Sequence, residues 1–229
     1  MTKVKKMKVL VIGSEAQQEE FKAKFPALSI TPALQHAEAS RSVLEQMEVV
    51  FDFMIEEYPE EIDIYRGLDH LLVFCNTVKS SLAEINFIFG GGLPTIAGFN
   101  GLPTFFNRTL LELTLLHEED RDTITACCNS LGTDFEIVTD RVGMVTPRVI
   151  FMIINEAFYT LQEGTAGKED IDQGMKLGTN YPYGPFEWAE RVGLDHVYEV
   201  LESLWEDTRD ERYKVCPLLK REYLLLGSD

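Results

Sequence analysis

The first stretch whose residue types could do chemistry is the apolar run KVLVIG, which ends at Gly13 and is followed by SEAQQEEFKAKF. The continuous apolar character of the run predicts a buried parallel strand. The stretch after it has Phe21 and Phe25 four residues apart among polar residues, which indicates a helix. A strand, a glycine and a helix in this order are typical of a dinucleotide-binding unit, whose chemistry is hydride transfer.

The glycine pattern of such a unit is incomplete in this chain. In the frame Gly-x-Gly-x-x-Gly that starts at Gly13, Glu15 and Gln18 occupy the second and third glycine positions. A glutamate at the second position adds bulk and negative charge where the backbone should approach a pyrophosphate. A ribose-binding acid should follow about twenty residues later, but residues 30–34 read ITPAL and Glu38 is the nearest acid. We therefore expect the protein to bind no cofactor.

Histidines and cysteines offer no alternative chemistry. Histidine suits proton transfer because its pKa lies near neutrality. None of the four histidines stands in a catalytic pattern: His36, His70, His117 and His196. None of the four cysteines has metal-binding spacing: Cys75, Cys127, Cys128 and Cys216. We expect no metal site and a reduced, cytoplasmic setting.

The composition excludes some classes of partner. The chain has 229 residues, a formal net charge of -17 and 45% hydrophobic residues, so it can bury a core beneath an acidic surface. Nucleic acids and anionic membranes repel such a surface, and we expect neither as a partner. The apolar run near the N-terminus is too short for a signal peptide or a membrane span.

The C-terminal part of the chain has the periodicity of packed helices. Residues 150–161 place apolar side chains at helical spacing, which predicts one long amphipathic helix. Gly164 is expected to end it, and Gly167 to begin a second helix. Pro185 in GPFEW is expected to begin a third helix, and Asp195 to cap a fourth.

These helices carry a resemblance to a known family. The runs NEA, EG, KEDID, GMKLG, YPYGPFEWA and VGLD, and later RY and PLL, resemble the C-terminal helical domain of the 3-hydroxyacyl-CoA dehydrogenase family, including its 3-hydroxybutyryl-CoA members. The resemblance implies that two subunits pair through this domain and that it forms part of an acyl-CoA site. It also implies a preceding Rossmann-like domain, with NAD as the family's cofactor.

The same resemblance locates the expected catalytic pair. The family's dehydrogenases use a histidine in a Gly-x-His-Phe-Phe-Asn-Pro segment, oriented by a glutamate twelve residues later in Leu-Val-Glu-Val. Here Glu112 stands in LLEL, and the position twelve residues before it is Asn100 in GFN. An alternative alignment of FFN at residues 105–107 puts Thr104 at the histidine position. Neither alignment supplies a histidine, and an amide cannot accept a proton at physiological pH.

Other family positions can also be matched. Ser80 in NTVKSSL corresponds to a serine beside the substrate and the nicotinamide; alternatively, Ser80 and Ser81 cap a helix. Asp52 falls near a glutamate that follows the third strand, or is an acid that faces water. Pro147 replaces an asparagine near the substrate. The family's long CoA-contacting excursion between its second and third strands is missing, since only residues 35–47 are available there.

We therefore predict an α/β plus all-α protein. Residues 1–140 form a reduced, degenerate Rossmann-like parallel-sheet domain, and residues 141–229 an α-helical dimerisation domain. The expected function is that of a family member that has lost NAD-dependent oxidation of 3-hydroxyacyl-CoA and acts as a binding or structural homodimer, with an acyl-CoA-like small molecule as a candidate ligand. The alternative is an active NAD(P)-dependent oxidoreductase with a rebuilt site, in fatty-acid or butanoate metabolism.

The predicted site residues follow from these matches. Asn100, Glu112 and Ser80 mark the catalytic positions, and Gly13 and Asp52 are the only candidates for cofactor contact.

Overall fold

The computed structural model describes residues 7–227. Contacts within the chain divide it into two compact units, one up to Arg141 and one from Val142 onward. In the first unit, strands alternate with helices, and the described part of the second unit contains helices alone. The predicted fold class, α/β plus all-α, is confirmed.

A seven-stranded sheet organises the described part of the first unit. Its strands are, in chain order, β1 (Val9–Ile12), β2 (Ile30–Ala33), β3 (Val49–Asp52), β4 (Leu72–Asn76), β5 (Thr95–Phe99), β6 (Leu110–Leu115) and β7 (Asp134–Ile137). The spatial order is β2-β1-β3-β4-β5-β6-β7. The strands β1 to β5 are parallel to one another, whereas β6 pairs antiparallel with β5 and parallel with β7. The first five strands therefore end at one common edge.

Helices cover both faces of this sheet. They are α1 (Glu15–Lys24), α2 (Arg41–Leu44), α3 (Leu82–Ile88) and α4 (Arg121–Leu131). On one face, Phe51 and Phe74 stack with ring centroids 4.5 Å apart, and Phe21 of α1 packs against Phe51. The other face carries its own cluster of buried aliphatic side chains. Burial on both faces explains why β1 reads as a continuous apolar run, because all four of its residues are buried.

One local prediction differs from the structure. Asp195 was expected to cap a helix, but that helix already begins at Leu194, after Gly193. Gly193 has a φ of 102°, which glycine adopts without steric cost, so the chain enters the helix one residue earlier than the acid suggests.

The second unit consists of five described α-helices. They are α5 (Thr146–Gln162), α6 (Lys168–Thr179), α7 (Pro185–Val192), α8 (Leu194–Thr208) and α9 (Pro217–Leu226). The apolar side of α5 buries Ile150, Ile154 and Ala157, as their helical spacing predicts. α5 ends just before Gly164, whose φ of 74° lies in the left-handed region.

A carboxylate from α6 caps the start of α7. Gly184 precedes α7 and has no side chain with which to cap it. Asp172 supplies the cap instead, since its two oxygens accept hydrogen bonds from the backbone nitrogens of Phe186 at 2.8 Å and Glu187 at 3.0 Å. A side chain at Gly184 would collide with the Asp172 carboxylate. This contact therefore fixes α6 against α7.

Replacing Asp172 with Ala should lower the free energy of unfolding of the protein by about 1–2 kcal/mol, because two backbone amides at a helix start lose their acceptor. Urea denaturation followed by circular dichroism measures the change. The exposed neighbour Gln173→Ala is the control and should have no comparable effect. Equal stabilities of the Asp172→Ala variant and the control would contradict the capping role.

Candidate functional site

The candidate site lies at the edge where the parallel strands end. β2 lies on one side of β1 and β3 on the other, so the chain changes direction across the sheet at β1. Ligands of open α/β sheets bind at such a switch point, beyond the carboxyl ends of the strands. Gly13 follows β1 at this place, Leu34 follows β2, and Phe53 follows β3.

Gly13 forms a turn that has no room for a side chain. A Cβ atom there would lie 2.8 Å from Oε1 of Gln17 and 3.2 Å from Cβ of Phe53. Ser14 caps α1: its hydroxyl accepts from the backbone nitrogen of Gln17 at 3.3 Å, and its own backbone nitrogen donates to Oε1 of Gln17 at 2.8 Å. The predicted turn before a helix is present, with Glu15 exposed as the first residue of α1.

Gln18 stands where the third glycine of the pattern was expected, and the turn is intact there. Its side chain is buried. Its amide nitrogen donates to the carbonyl oxygens of Gly13 and Ala33, each at 3.0 Å. Gln18 thus ties the ends of β1 and β2 to α1. In dinucleotide-binding units the third glycine allows the helix to pack closely against the strand. In this protein the hydrogen bonds of the Gln18 side chain hold the helix against the strands.

Glu38 brings a carboxylate to the end of β2. A 3-10 turn over His36–Glu38 folds the chain back, so that Oε2 of Glu38 accepts from the backbone nitrogen of Leu34 at 3.2 Å. Glu38 is exposed. Counting along the sequence identified Glu38 only as the nearest acid, because it reaches the end of β2 by a turn rather than by direct succession.

Asp52 at the end of β3 faces the protein interior. It is fully buried. Its Oδ2 lies 2.8 Å from both Nε2 of His36 and the hydroxyl of Tyr65, and its Oδ1 accepts from the backbone nitrogen of Met54 at 2.9 Å. The alternative that Asp52 faces water is wrong, because three protein groups enclose its carboxylate. For the same reason, the structure does not bring Asp52 to a position for cofactor contact.

The surroundings of this buried cluster shift the pKa values of His36 and Tyr65. Burial alone would lower the pKa of His36, but the hydrogen bond and the charge of Asp52, together with Glu61 and Glu60, raise that pKa above its ordinary value. Burial also raises the pKa of Tyr65 well above its usual range, and the charge of Asp52 adds to the effect. The hydrogen bonds of His36 and Tyr65 to Asp52 connect the segment after β2 with the end of β3.

Asn100 and Glu112 come together at the far side of the same edge. The Nδ2 atom of Asn100 lies 3.5 Å from Oε2 of Glu112, and the two backbones are joined by an Asn100 nitrogen to Glu112 oxygen bond of 3.2 Å. Both side chains are buried. Thr104 of the alternative alignment lies in the following loop with a φ of 70°. Asn100 is thus the residue that the structure places against Glu112.

Ser80 and Ser81 have different surroundings. Ser81 precedes α3, and its hydroxyl accepts from the backbone nitrogen of Glu84 at 3.1 Å. Ser81 therefore caps the helix. The Ser80 hydroxyl is buried and makes no hydrogen bond with the described residues, while its backbone nitrogen donates to Oε1 of Glu56 at 3.3 Å.

Glu56 was not singled out from the sequence, where it lies in an acidic stretch with no distinguishing pattern. Its carboxylate accepts hydrogen bonds from the backbone nitrogens of Lys79 and Ser80 and from the side-chain amide of Asn76. Burial raises the pKa of Glu56 to about 8, against the opposing charge of Lys79 and these backbone bonds. The carboxylate lies where the turn after β4 meets the segment after β3.

The sheet is tightly packed next to Asn100. Gly98 of β5 lies between Thr77 and Thr114, and a side chain at Gly98 would collide with both hydroxyl oxygens. Both threonines are buried, and neither hydroxyl has a hydrogen-bond partner among the described residues. The glycine is therefore required for the approach of these strands.

The residues at the switch point fit the adenosine half of a dinucleotide in two places. Gly13 keeps the turn before α1 free of a side chain. Glu38 presents an exposed carboxylate at the end of β2, where ribose hydroxyls bind in this type of fold. Glu15 is the exception, since it adds negative charge at the helix start where a pyrophosphate would lie.

Comparisons with known proteins agree with this arrangement. Residues 143–225 match the family 3-hydroxyacyl-CoA dehydrogenase, C-terminal domain. The probable 3-hydroxybutyryl-CoA dehydrogenase of Bacillus subtilis (strain 168) is 29% identical over 217 residues, which cover 92% of this chain and 73% of that protein. The 3-hydroxyadipyl-CoA dehydrogenase of Escherichia coli (strain K12) is 44% identical over 88 residues, which cover 38% of this chain and 18% of that protein.

A solved structure supports the fold across both units. The (S)-3-hydroxybutyryl-CoA dehydrogenase from Ralstonia eutropha has a TM-score of 0.76 and 23% identity, covering 97% of this chain and 95% of that one. A Rossmann-like sheet followed by a helical unit defines the fold of two-domain dinucleotide-dependent dehydrogenases. Residues 143–225 belong to the C-terminal domain family of the 3-hydroxyacyl-CoA dehydrogenases, and most of the chain is similar to proteins named 3-hydroxybutyryl-CoA dehydrogenase.

The expectation that the protein binds no cofactor is wrong. Members of this family are NAD-dependent dehydrogenases, and the match over 92% of the chain points to NAD binding. The error came from treating the glycine pattern and the sequence distance to an acid as requirements. Gln18 replaces a glycine by bonding both strand ends. Glu38 reaches the end of β2 through a turn.

The His36–Asp52 pair should make stability depend on pH. The pKa of His36 in the folded protein is raised above its unfolded value of 6.5. The stabilisation from the protonated histidine is therefore complete below that value and is lost as the pH rises through the folded pKa. Relative to His36→Gln, the wild type should lose on the order of 1 kcal/mol for each unit by which the pKa is raised.

Thermal and urea unfolding of both proteins between about pH 5.5 and 9 measures this difference. His70→Gln is the control, because His70 is exposed, and this variant should follow the pH dependence of the wild type. Parallel stability curves for the wild type and His36→Gln would show that the buried pair does not titrate as proposed.

Proposed function

We propose that this protein binds NAD as a dimer but does not oxidise 3-hydroxyacyl-CoA by the family's histidine-dependent route. The observation that carries the proposal is the buried Asn100 amide, 3.5 Å from the Glu112 carboxylate. Bound NAD supplies a hydride acceptor, but oxidation of a secondary alcohol also requires a group that takes the hydroxyl proton. The amide of Asn100 cannot take it at physiological pH.

The NAD-binding part of the proposal rests on the switch point. The backbone amides that follow Gly13 at the start of α1 would hold the pyrophosphate, and the Glu38 carboxylate would accept hydrogen bonds from the adenosine ribose. A carboxylate at this place repels a 2′-phosphate, so we propose NAD rather than NADP as the ligand. Glu15 weakens the pyrophosphate contact through its charge and lowers the expected affinity.

Exposed apolar side chains in the second unit support the dimer. α6 has no buried residue in the single chain, and its Leu177 is 79% exposed. Further apolar residues are exposed on α5 and α9: Val149, Leu224, Leu225 and Leu226. Amphipathic helices whose apolar side chains remain exposed are typical of subunit interfaces.

The proposed location is the cytoplasm, which the four buried and unbridged cysteines support. Within residues 7–227, no helix combines the length and the apolar character needed to cross a membrane.

Binding without turnover is the expected result for the wild type. NADH should bind in a fluorescence titration, and acetoacetyl-CoA should not be reduced by NADH at rates typical of enzymes. Asn100→His should raise the rate of NADH oxidation by about a hundredfold or more, because a positioned histidine that donates a proton to the carbonyl oxygen contributes roughly 10² to 10⁴. Reduction by the wild type at about 1 s⁻¹ or faster would overturn the loss of chemistry.

Two controls make this experiment specific. Asn100→His/Glu112→Gln should lose most of the gained rate, since the new imidazole is no longer oriented by a carboxylate. Glu38→Ala should weaken NADH binding by about tenfold, whereas Glu45→Ala, an exposed glutamate of the same segment, should not change it. Equal NADH affinities for Glu38→Ala and Glu45→Ala would remove Glu38 from the nucleotide site.

The dimer gives a separate prediction. Sedimentation velocity of the wild type should give twice the mass of the chain. Leu177→Glu should weaken association by at least about tenfold, because a charge replaces a buried apolar side chain in the dimer. Leu34→Glu, a change of an exposed leucine in the first unit, is the control and should leave the mass unchanged. A monomeric wild type would exclude the dimer.

A further inference from the structure

Glu56 binds the turn that carries Ser80. It lies four residues after the end of β3, and its Oε1 accepts hydrogen bonds from two successive backbone nitrogens, those of Lys79 and Ser80. Successive backbone N–H groups that point to one place form a concave site for an anion. In this protein the anion is the carboxylate of Glu56 itself.

The second oxygen of Glu56 accepts a hydrogen bond from Asn76, which in turn bonds the loop that follows Asn100. Oε2 accepts from Nδ2 of Asn76 at 3.1 Å, and Oδ1 of Asn76 accepts from the backbone nitrogen of Gly101 at 2.9 Å. Asn76 is only 6% exposed, so both bonds of its amide lie away from bulk solvent. A Cβ atom at Gly101 would lie 2.9 Å from Oδ1 of Asn76 and 2.8 Å from Cε2 of Phe99, so only glycine allows this approach.

The hydrogen bonds that link Glu56, Asn76 and Gly101, which we call the bridge, have a fixed direction. Both oxygens of Glu56 face donors, the backbone N–H groups of Lys79 and Ser80 and the side chain of Asn76, which is the arrangement of an ionised carboxylate. Because burial raises the pKa of Glu56 to about 8, this arrangement is complete only above that pH. Asn76 must therefore turn its NH₂ group to Glu56 and its oxygen to Gly101. With the opposite orientation, the amide oxygen would face the carboxylate and the NH₂ group would face the N–H of Gly101. Both bonds would then be lost together.

We infer that Glu56 and Asn76 are positioning residues that hold the Ser80 turn and the Asn100–Gly101 loop in one fixed arrangement. Neither residue is assigned contact with a ligand. Glu56 sets the orientation of the Asn76 amide, and Asn76 sets the position of the loop next to the Asn100–Glu112 pair. The consequence for nucleotide binding rests on the proposed function, whereas the coupling of the two segments does not.

Reversing the donors and acceptors of the bridge provides the test. In Glu56→Gln, the new NH₂ group faces the NH₂ group of Asn76, so the bond to Gly101 should fail. In Asn76→Asp, two carboxylates face each other, and the bridge should also fail. In the double variant Glu56→Gln/Asn76→Asp, the new amide donates to the new carboxylate, whose second oxygen can accept from Gly101. The bridge should therefore form again.

Hydrogen exchange of the backbone amide of Gly101, measured by NMR or on a peptide covering residues 98–102, reports on the bridge when all variants are compared at a pH above the raised pKa of Glu56, about 8. Each single variant should raise the exchange rate about tenfold or more, and the double variant should restore most of the protection. Glu57→Gln, a change of the exposed neighbouring glutamate, is the matched control and should have no effect. NADH affinity should fall in both single variants and recover in the double variant.

Each result of the exchange experiment either supports or contradicts the positioning role of Glu56 and Asn76. Unchanged exchange in both single variants, or a double variant no better protected than the single ones, would overturn it. If a single variant does not fold, recovery of a folded and protected double variant supports the inference, and an unfolded double variant overturns it. If the exchange pattern appears as expected while the wild type binds no NADH, the positioning role stands and the proposed function fails.

Discussion

The parallel alignment of β1, β3, β4 and β5 is the constraint on which the candidate site depends. Parallel strands in register bring their carboxyl ends to the same edge of a sheet. Residues far apart in the sequence, such as Gly13, Asp52, Asn76 and Asn100, therefore lie at the ends of neighbouring strands along one line. The helices return the chain on the faces of the sheet, which is why the strands are buried and apolar while the polar groups collect at this edge.

The short connection between β2 and β3 brings a particular physical problem. A connection that crosses from one side of β1 to the other must be held in place, yet few residues are available to build a core there. The structure holds it with a buried polar cluster, in which Asp52 bonds His36 and Tyr65. Burying a carboxylate is costly unless donors surround it. Asp52 has three donors, so the cluster joins the segment after β2 to the end of β3 without an unsatisfied acid.

Much of the fold could be predicted from the sequence, because it depends on local patterns. The apolar run before Gly13 and the helical spacing of residues 150–161 each specify an element by periodicity alone. The placement of Asn100 against Glu112 depends on a long-range strand pair, and only the family resemblance made it predictable. The contacts of Glu38 and Gln18 could not be predicted, because they arise from a turn and from a side-chain bond across two strands. Neither leaves a periodic signal in the sequence.

An asparagine at position 100 keeps a contact with Glu112 but cannot take up a proton near neutral pH. Glu112 is buried, and a buried carboxyl group is costly if its partner is replaced by an apolar side chain. Asparagine can still present an N–H group in that direction, and its backbone bond to Glu112 does not depend on the side chain. An amide can therefore preserve the local structure where an alanine would leave a cavity and an unsatisfied acid. What the amide lacks is a site whose pKa allows it to gain and lose a proton near neutral pH.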